Sequence, residues 1–131
     1  MKLSSLRIIT NEIKNLVPFY EKITGLPAKW YTNDFAEITT DGSNLAIAST
    51  RTLSLFGNDF AEAASNKSVI IEFRVADVDD QYAKIKDLLN DIIQEPTTMP
   101  WGNRSLLFRD PEGNLVNFFT PVSAEAAERF N

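Results

Sequence analysis

The sequence predicts an α+β fold built from two copies of one strand–helix–strands unit, and three observations predict it. The first is the stretch from Pro96 to Pro121, PTTMPWGNRSLLFRDPEGNLVNFFTP, which reads as two strands joined by a tight turn. Arg104 to Arg109 is rich in Leu and Phe. In Asp110-Pro111-Glu112-Gly113-Asn114 the proline fixes φ, Gly113 can adopt positive φ, and Asp110 can bond its own backbone. Leu115 to Phe119 resumes an apolar strand that Pro121 ends, so the stretch is a β-hairpin. The second observation is an echo of that hairpin in FAEITTDGSNLAIAST, Phe35 to Thr50. A shift of about 70 positions lays Asn44-Leu45-Ala46-Ile47 on Asn114-Leu115-Val116-Asn117. The third is a matching echo upstream of each hairpin. SLRIITNEI (Ser5 to Ile13) is similar to IIEFRVADV (Ile70 to Val78), each a strand running into a helix start. A repeat of this length has to be recognised before function is read.

Each element follows from local chemistry. Leu3 to Thr10 is a strand; if Leu6 and Ile8 face the helices, Ser5, Arg7 and Ile9 face the other way. Asn11 or Thr10 is placed to cap the next helix, with Glu12 in its first turn. Ile13, Leu16, Val17, Tyr20 and Ile23 share one helical face, and Gly25 ends it. Pro18 predicts a kink or a shorter helix, although the periodicity passes through it. A strand begins at Trp30-Tyr31 and the Asp41–Asn44 hairpin follows. Arg51 to Asn58 reads as an extended loop and Asp59 to Lys67 as a short helix at the boundary between units. Val69 to Val75 is a strand with Val69, Ile71, Phe73 and Val75 on the helix side and Ile70, Glu72 and Arg74 opposite. Asp77 caps the second helix, with Asp79 and Asp80 at its positive end; Tyr82, Ile85, Leu88 and Leu89 form its apolar stripe. Ile92 to Glu95 is a short strand or edge, and Ser123 to Phe130 closes as a helix capped by Ser123.

With 131 residues, the chain is read as one domain able to bury its own core, the first module spanning about residues 1–66 and the second about 67–131. A net charge of −5 argues against a nucleic-acid surface, which wants a basic face. No apolar run approaches the ~20 residues needed to span a bilayer, and Met1-Lys2-Leu3-Ser4 leads directly into a strand. The expectation is a cytoplasmic protein with no membrane and no nucleic-acid partner. With no Cys, neither disulfides nor thiol chemistry is available.

Phe19-Tyr20 followed by Gly25-Leu26, then Phe73-Arg74-Val75-Ala76-Asp77-Val78-Asp79, then Phe108-Arg109-Asp110-Pro111-Glu112-Gly113-Asn114 carry a resemblance to the vicinal oxygen chelate superfamily. That superfamily comprises glyoxalase I, the bleomycin-resistance proteins and the extradiol dioxygenases. The resemblance spans nearly the whole chain in order. It implies two βαβββ modules whose curled mixed sheets form a cleft, with a divalent metal there in the family's metalloenzymes. Their ligands come from the first and last strand of each module. The matching positions read as Ser5, Ile70, Ile47 and Asn117, a poor set for a first-row metal, which wants imidazole or carboxylate; the chain has no His at all. The expectation is no metal and no cofactor. The resemblance then points to the metal-free branch, in which bleomycin-resistance proteins hold a drug in the cleft of a homodimer.

The residues expected around such a pocket are Arg7, Trp30, Glu72, Arg74, Trp101, Arg104, Asn117 and Phe119, aromatic walls with a few convergent polar groups. Each has a plainer reading. Trp101, between Pro100 and Gly102, could be a lid or a dimer contact; Trp30 could be core; Glu72 and Arg74 could pair with Arg7 or Arg104 in a satisfied network. Three functions compete: a small-molecule-binding protein without chemistry, a metal-independent isomerase or lyase using Glu72 as general base, and an interaction module without ligand. Nucleophilic catalysis has no support, since neither Cys nor a His to activate Ser is present.

Overall fold

The structure, a computed structural model, describes residues 1–57 and 59–130. The chain divides into two compact units, Met1–Ser65 and Asn66–Asn131, each a βαβββ module.

In the first unit, β1 (Ser5–Thr10) leads into α1 (Ile13–Thr24), followed by β2 (Ala28–Thr32), β3 (Phe35–Ile38) and β4 (Asn44–Ser49). The open sheet runs β1-β4-β3-β2, with β1 parallel to β4 and the other pairs antiparallel. Ile8 opposes Ile47, Ile47 opposes Ala36, and Leu45 opposes Ile38, which puts this apolar set on one face. α1 lies against β3 and β4 and buries Leu16, Val17, Tyr20 and Ile23. That burial carries the helix through Pro18, whose ring removes one helical hydrogen bond. Gly25, at φ 71°, stops it in a left-handed C-cap. The N-cap differs from expectation. Glu12 occupies it with no side-chain bond of its own, and the Thr10 hydroxyl accepts from the Glu12 N–H instead.

In the second unit, β5 (Ile70–Arg74), α2 (Val78–Ile85), β6 (Ile92–Thr98), β7 (Asn103–Arg109) and β8 (Leu115–Pro121) repeat the plan, and α3 (Ala124–Arg129) follows. The sheet order is β5-β8-β7-β6, again with one parallel pair, β5 with β8. Ile71, Phe73, Leu106, Phe108, Val116 and Phe118 share the helix face. There Phe118 takes Phe73 and Phe108 edge-on at 5.5 and 5.4 Å. Asp77 caps α2 by accepting from the Asp79 and Asp80 N–H groups. Ser123 caps α3 by accepting from Ala126 N–H.

Four other expectations change. Thr50–Leu55 is a 3-10 helix rather than an extended loop, started by the Ser49 hydroxyl accepting from Arg51 N–H; the end of that predicted loop, Asn58, lies outside the described residues. Residues 59–67 form turns and no helix, because Asp59 and Ala64 take positive φ, which right-handed helix excludes. β6 runs on to Thr98, passing Pro96 at a register shift, as an edge strand permits. α2 ends at Ile85 in a 3-10 turn that leaves Leu88 exposed while Ile85 and Leu89 are buried.

Candidate functional site

On the face of the second sheet opposite the helix-side core, register brings seven residues into line. Glu72 opposes Asn117 and Arg74 opposes Phe119 across β5 and β8; Ser105 opposes Phe119 and Asn103 opposes Pro121 across β7 and β8. The Asn117 Nδ2 donates to Glu72 Oε2 at 2.7 Å. That bond fixes the amide's orientation, since the flipped amide would set its oxygen against a carboxylate. Asn117 Oδ1 therefore faces away from Glu72, and it is buried with no hydrogen-bond partner among the described residues. Asn103 Oδ1 is in the same condition, and the two residues are only 9% and 7% exposed.

The aromatic part of this face is Phe119, buried, with the Phe130 ring 5.0 Å from it. Phe130 arrives through α3, whose seat depends on Gly102. At φ +92° that glycine lies so close to α3 that a Cβ there would meet Ser123 and Ala126. Arg74 donates from its guanidinium to the Phe130 carbonyl, and Arg129 lies over the Phe130 ring at 4.8 Å.

The remaining predicted residues are elsewhere. Arg104 faces the helix side, where it clasps Asp79 through Nε at 2.7 Å and Nη2 at 3.0 Å and also reaches Thr98. The Arg104 hydrogen bond, aided by its charge, lowers the Asp79 pKa below its ordinary value. This is a clamp between the first turn of α2 and β7, and it separates Arg104 from Glu72 and Asn117. Trp101 is 62% exposed in the turn before β7. In the first unit, Arg7 sits over the Phe35 ring at 5.1 Å, on the opposite face of its sheet from Trp30, which pairs with Ala36. Asn103, Ser105 and Phe130 were missed from the sequence. The first two follow from counting the hairpin outward from its Asp110–Asn114 turn, which sets Asn117 opposite Leu107 and so aligns every second residue. Phe130 had no local signal.

A family model for the glyoxalase/bleomycin resistance protein/dioxygenase superfamily matches residues 2–118. The chain belongs to that superfamily. Among relatives of this glyoxalase-type chain is the uncharacterized protein YraH of Bacillus subtilis (strain 168), 27% identical over 125 residues that cover 91% of this chain and 98% of YraH. Two solved structures share the glyoxalase-type fold. One is a glyoxalase/bleomycin resistance protein/dioxygenase family enzyme from Burkholderia phytofirmans PsJN, with TM-score 0.83, 20% identity and coverage of 93% of this chain and 100% of that one. The other, a glyoxalase/bleomycin resistance protein/dioxygenase from Nocardioides, has TM-score 0.76, 19% identity and coverage of 95% and 85%.

The superfamily's metal does not suit the side chains present. Glu72 opposes Asn117 as Arg7 opposes Ala46, each the third residue of its strand. The first-unit counterpart of Asn117 is therefore Ala46, one residue from the expected Ile47, which lies on the helix face. Ser5, Ala46, Ile70 and Asn117 supply no imidazole or carboxylate, and among the described residues no three acidic, His or Cys side chains cluster as a metal site would require. Among the described residues, no helix is long and apolar enough to cross a membrane.

Proposed function

We propose that the protein binds a small molecule, aromatic or apolar with one polar end, on the face of the second sheet bearing Glu72, Asn117 and Phe119, without a resident metal. The observation that carries this is the Asn117 amide. One half is held by Glu72, and the other is buried and unpaired. Buried polar groups are almost always satisfied in folded proteins, and leaving one unmade costs about 1–3 kcal/mol. A bound ligand would remove that cost, and the Phe119–Phe130 pair beside it offers the aromatic wall that small-molecule sites use. Arg74 belongs to the same face. Arg104 is left out, since its clamp on Asp79 accounts for it. Arg7, Trp30 and Trp101 rest on the sequence reading.

A thermal-shift screen of aromatic compounds, followed by Trp fluorescence, tests the proposal. Compounds that raise the melting temperature are expected, and Asn117→Leu should weaken their binding by ~1–3 kcal/mol. Binding unaffected by Asn117→Leu would move the site elsewhere. A second reading, a metal-independent enzyme, draws on Glu72, which is exposed and has one carboxylate oxygen steadied by Asn117. Conversion of a bound compound, stopped by Glu72→Gln while binding persists, would replace simple binding with catalysis.

A further inference from the structure

We infer that the polar end of the ligand is a hydrogen-bond donor, a protonated nitrogen in the first instance, and not an acid. This rests on the binding role proposed for the Glu72–Asn117 face and specifies its chemistry. The direction of the Glu72–Asn117 bond decides it. Asn117 spends an N–H on the carboxylate, so what it has left to offer through Oδ1 is acceptance. Asn103 Oδ1 is also unpaired and buried on the same face, but no bond of its Nδ2 fixes that amide, so it is not counted toward the rule. Its position opposite Pro121 sets it four strand residues from the level of Asn117, about 13 Å along β8. The Glu72 carboxylate is the second acceptor and carries the negative charge.

The cations expected to meet an acidic ligand are engaged otherwise. Arg104 is held by Asp79 on the other face, and Arg74 is turned to the Phe130 carbonyl. A carboxylate brought to Asn117 Oδ1 would oppose acceptor to acceptor beside Glu72. An ammonium there would satisfy the orphan oxygen and pair with Glu72 in charge-assisted bonds. The net charge of −5 adds a long-range field of the same sense.

The experiment uses three probes of one shape, phenethylammonium, 2-phenylethanol and 3-phenylpropionate, titrated into the full chain while the side-chain amide NMR signals of Asn117 and Asn103 are followed. The ammonium should bind about tenfold or more tighter than the carboxylate, with the alcohol between, and the Asn117 signals should move. Glu72→Gln, which keeps the shape, should take away about tenfold of the ammonium's affinity and narrow the gap to the carboxylate. Its amide spectrum checks that the fold is intact. If 3-phenylpropionate binds as tightly as the ammonium and moves the Asn117 signals, binding stands and the donor rule falls. If no probe moves either amide at millimolar concentration, solvent satisfies these oxygens, and the binding role falls together with the rule.

Discussion

Asp110 shows how one side chain sets a whole hairpin. Its Oδ1 accepts from the Glu112 and Asn114 N–H groups, both at 2.9 Å, and its Oδ2 accepts from the Asn114 side chain at 2.8 Å. The residue is buried, so these donors have little water to fall back on. Gly113, at φ 84°, completes the turn where a side chain would be strained. Asp110→Ala should therefore cost about 2–4 kcal/mol, more than an exposed turn residue would, because it orphans several donors at once. Urea denaturation of the two forms measures it, and a loss under ~0.5 kcal/mol, the range of ordinary surface changes, would show that the turn holds without the carboxylate. The same turn fixes the register that sets Leu107 opposite Asn117 and Ser105 opposite Phe119. A slip of one residue would send Asn117 to the helix face and Phe118 to the candidate site. The turn itself was legible in the sequence, since DPEGN carries its chemistry. The Arg104 clamp was not. Arg104 was grouped with the site by its charge, although alternation sets it on one face with Leu106 and Phe108; its Asp79 partner, 25 positions away, is what only the structure shows.

Among elements, α3 and its tail matter most to the candidate site. Ser123 as its cap could be read from the sequence, because a serine before an Ala/Glu run is a common helix start. Where the helix lies could not. Its seat is made by Gly102, whose carbonyl accepts from Val122 and Ser123 N–H at 2.9 and 3.2 Å. A Cβ on Gly102 would come within 2.0 Å of Ser123 Oγ and 3.1 Å of Ala126 Cβ, at a backbone angle that L residues avoid. Gly102→Ala should destabilise by about 2 kcal/mol or more, from crowding and positive φ together. It should also separate Phe130 from Phe119. Amide exchange of 124–129 and the Phe119–Phe130 ring contacts in NMR would report this, and unchanged ring contacts would show that the tail is held by something other than this seat. The two failed predictions between the units have a common cause. Residues 50–67 lack a sustained apolar period, so local bonds such as Ser49 to Arg51 decide their form.

For the molecule as a whole, the superfamily resemblance implies a homodimer, and we carry that forward as a proposal. Sedimentation at micromolar concentration should show a species of twice the 14.7 kDa chain mass; a monomer that persists at high concentration would refute it. Phe56 and Phe60, exposed and 6.2 Å apart edge-on, are the aromatic pair to watch for protection on association. What the sequence determined by itself was the doubled strand–helix–strands plan and the apolar face of each unit's first strand, the superfamily being what its motifs resemble. These depend on short-range periodicity, turn chemistry and a repeat, all of which are written along the chain. What tertiary structure decided was which polar groups meet. Glu72 and Asn117 are 45 positions apart yet hydrogen-bonded at 2.7 Å, because β5, at the edge of the sheet, runs parallel to β8. Parallel pairing joins distant segments without a local turn to announce its register. The register sets which side chains pair, and hydrogen bonding then leaves the Asn117 oxygen unpaired.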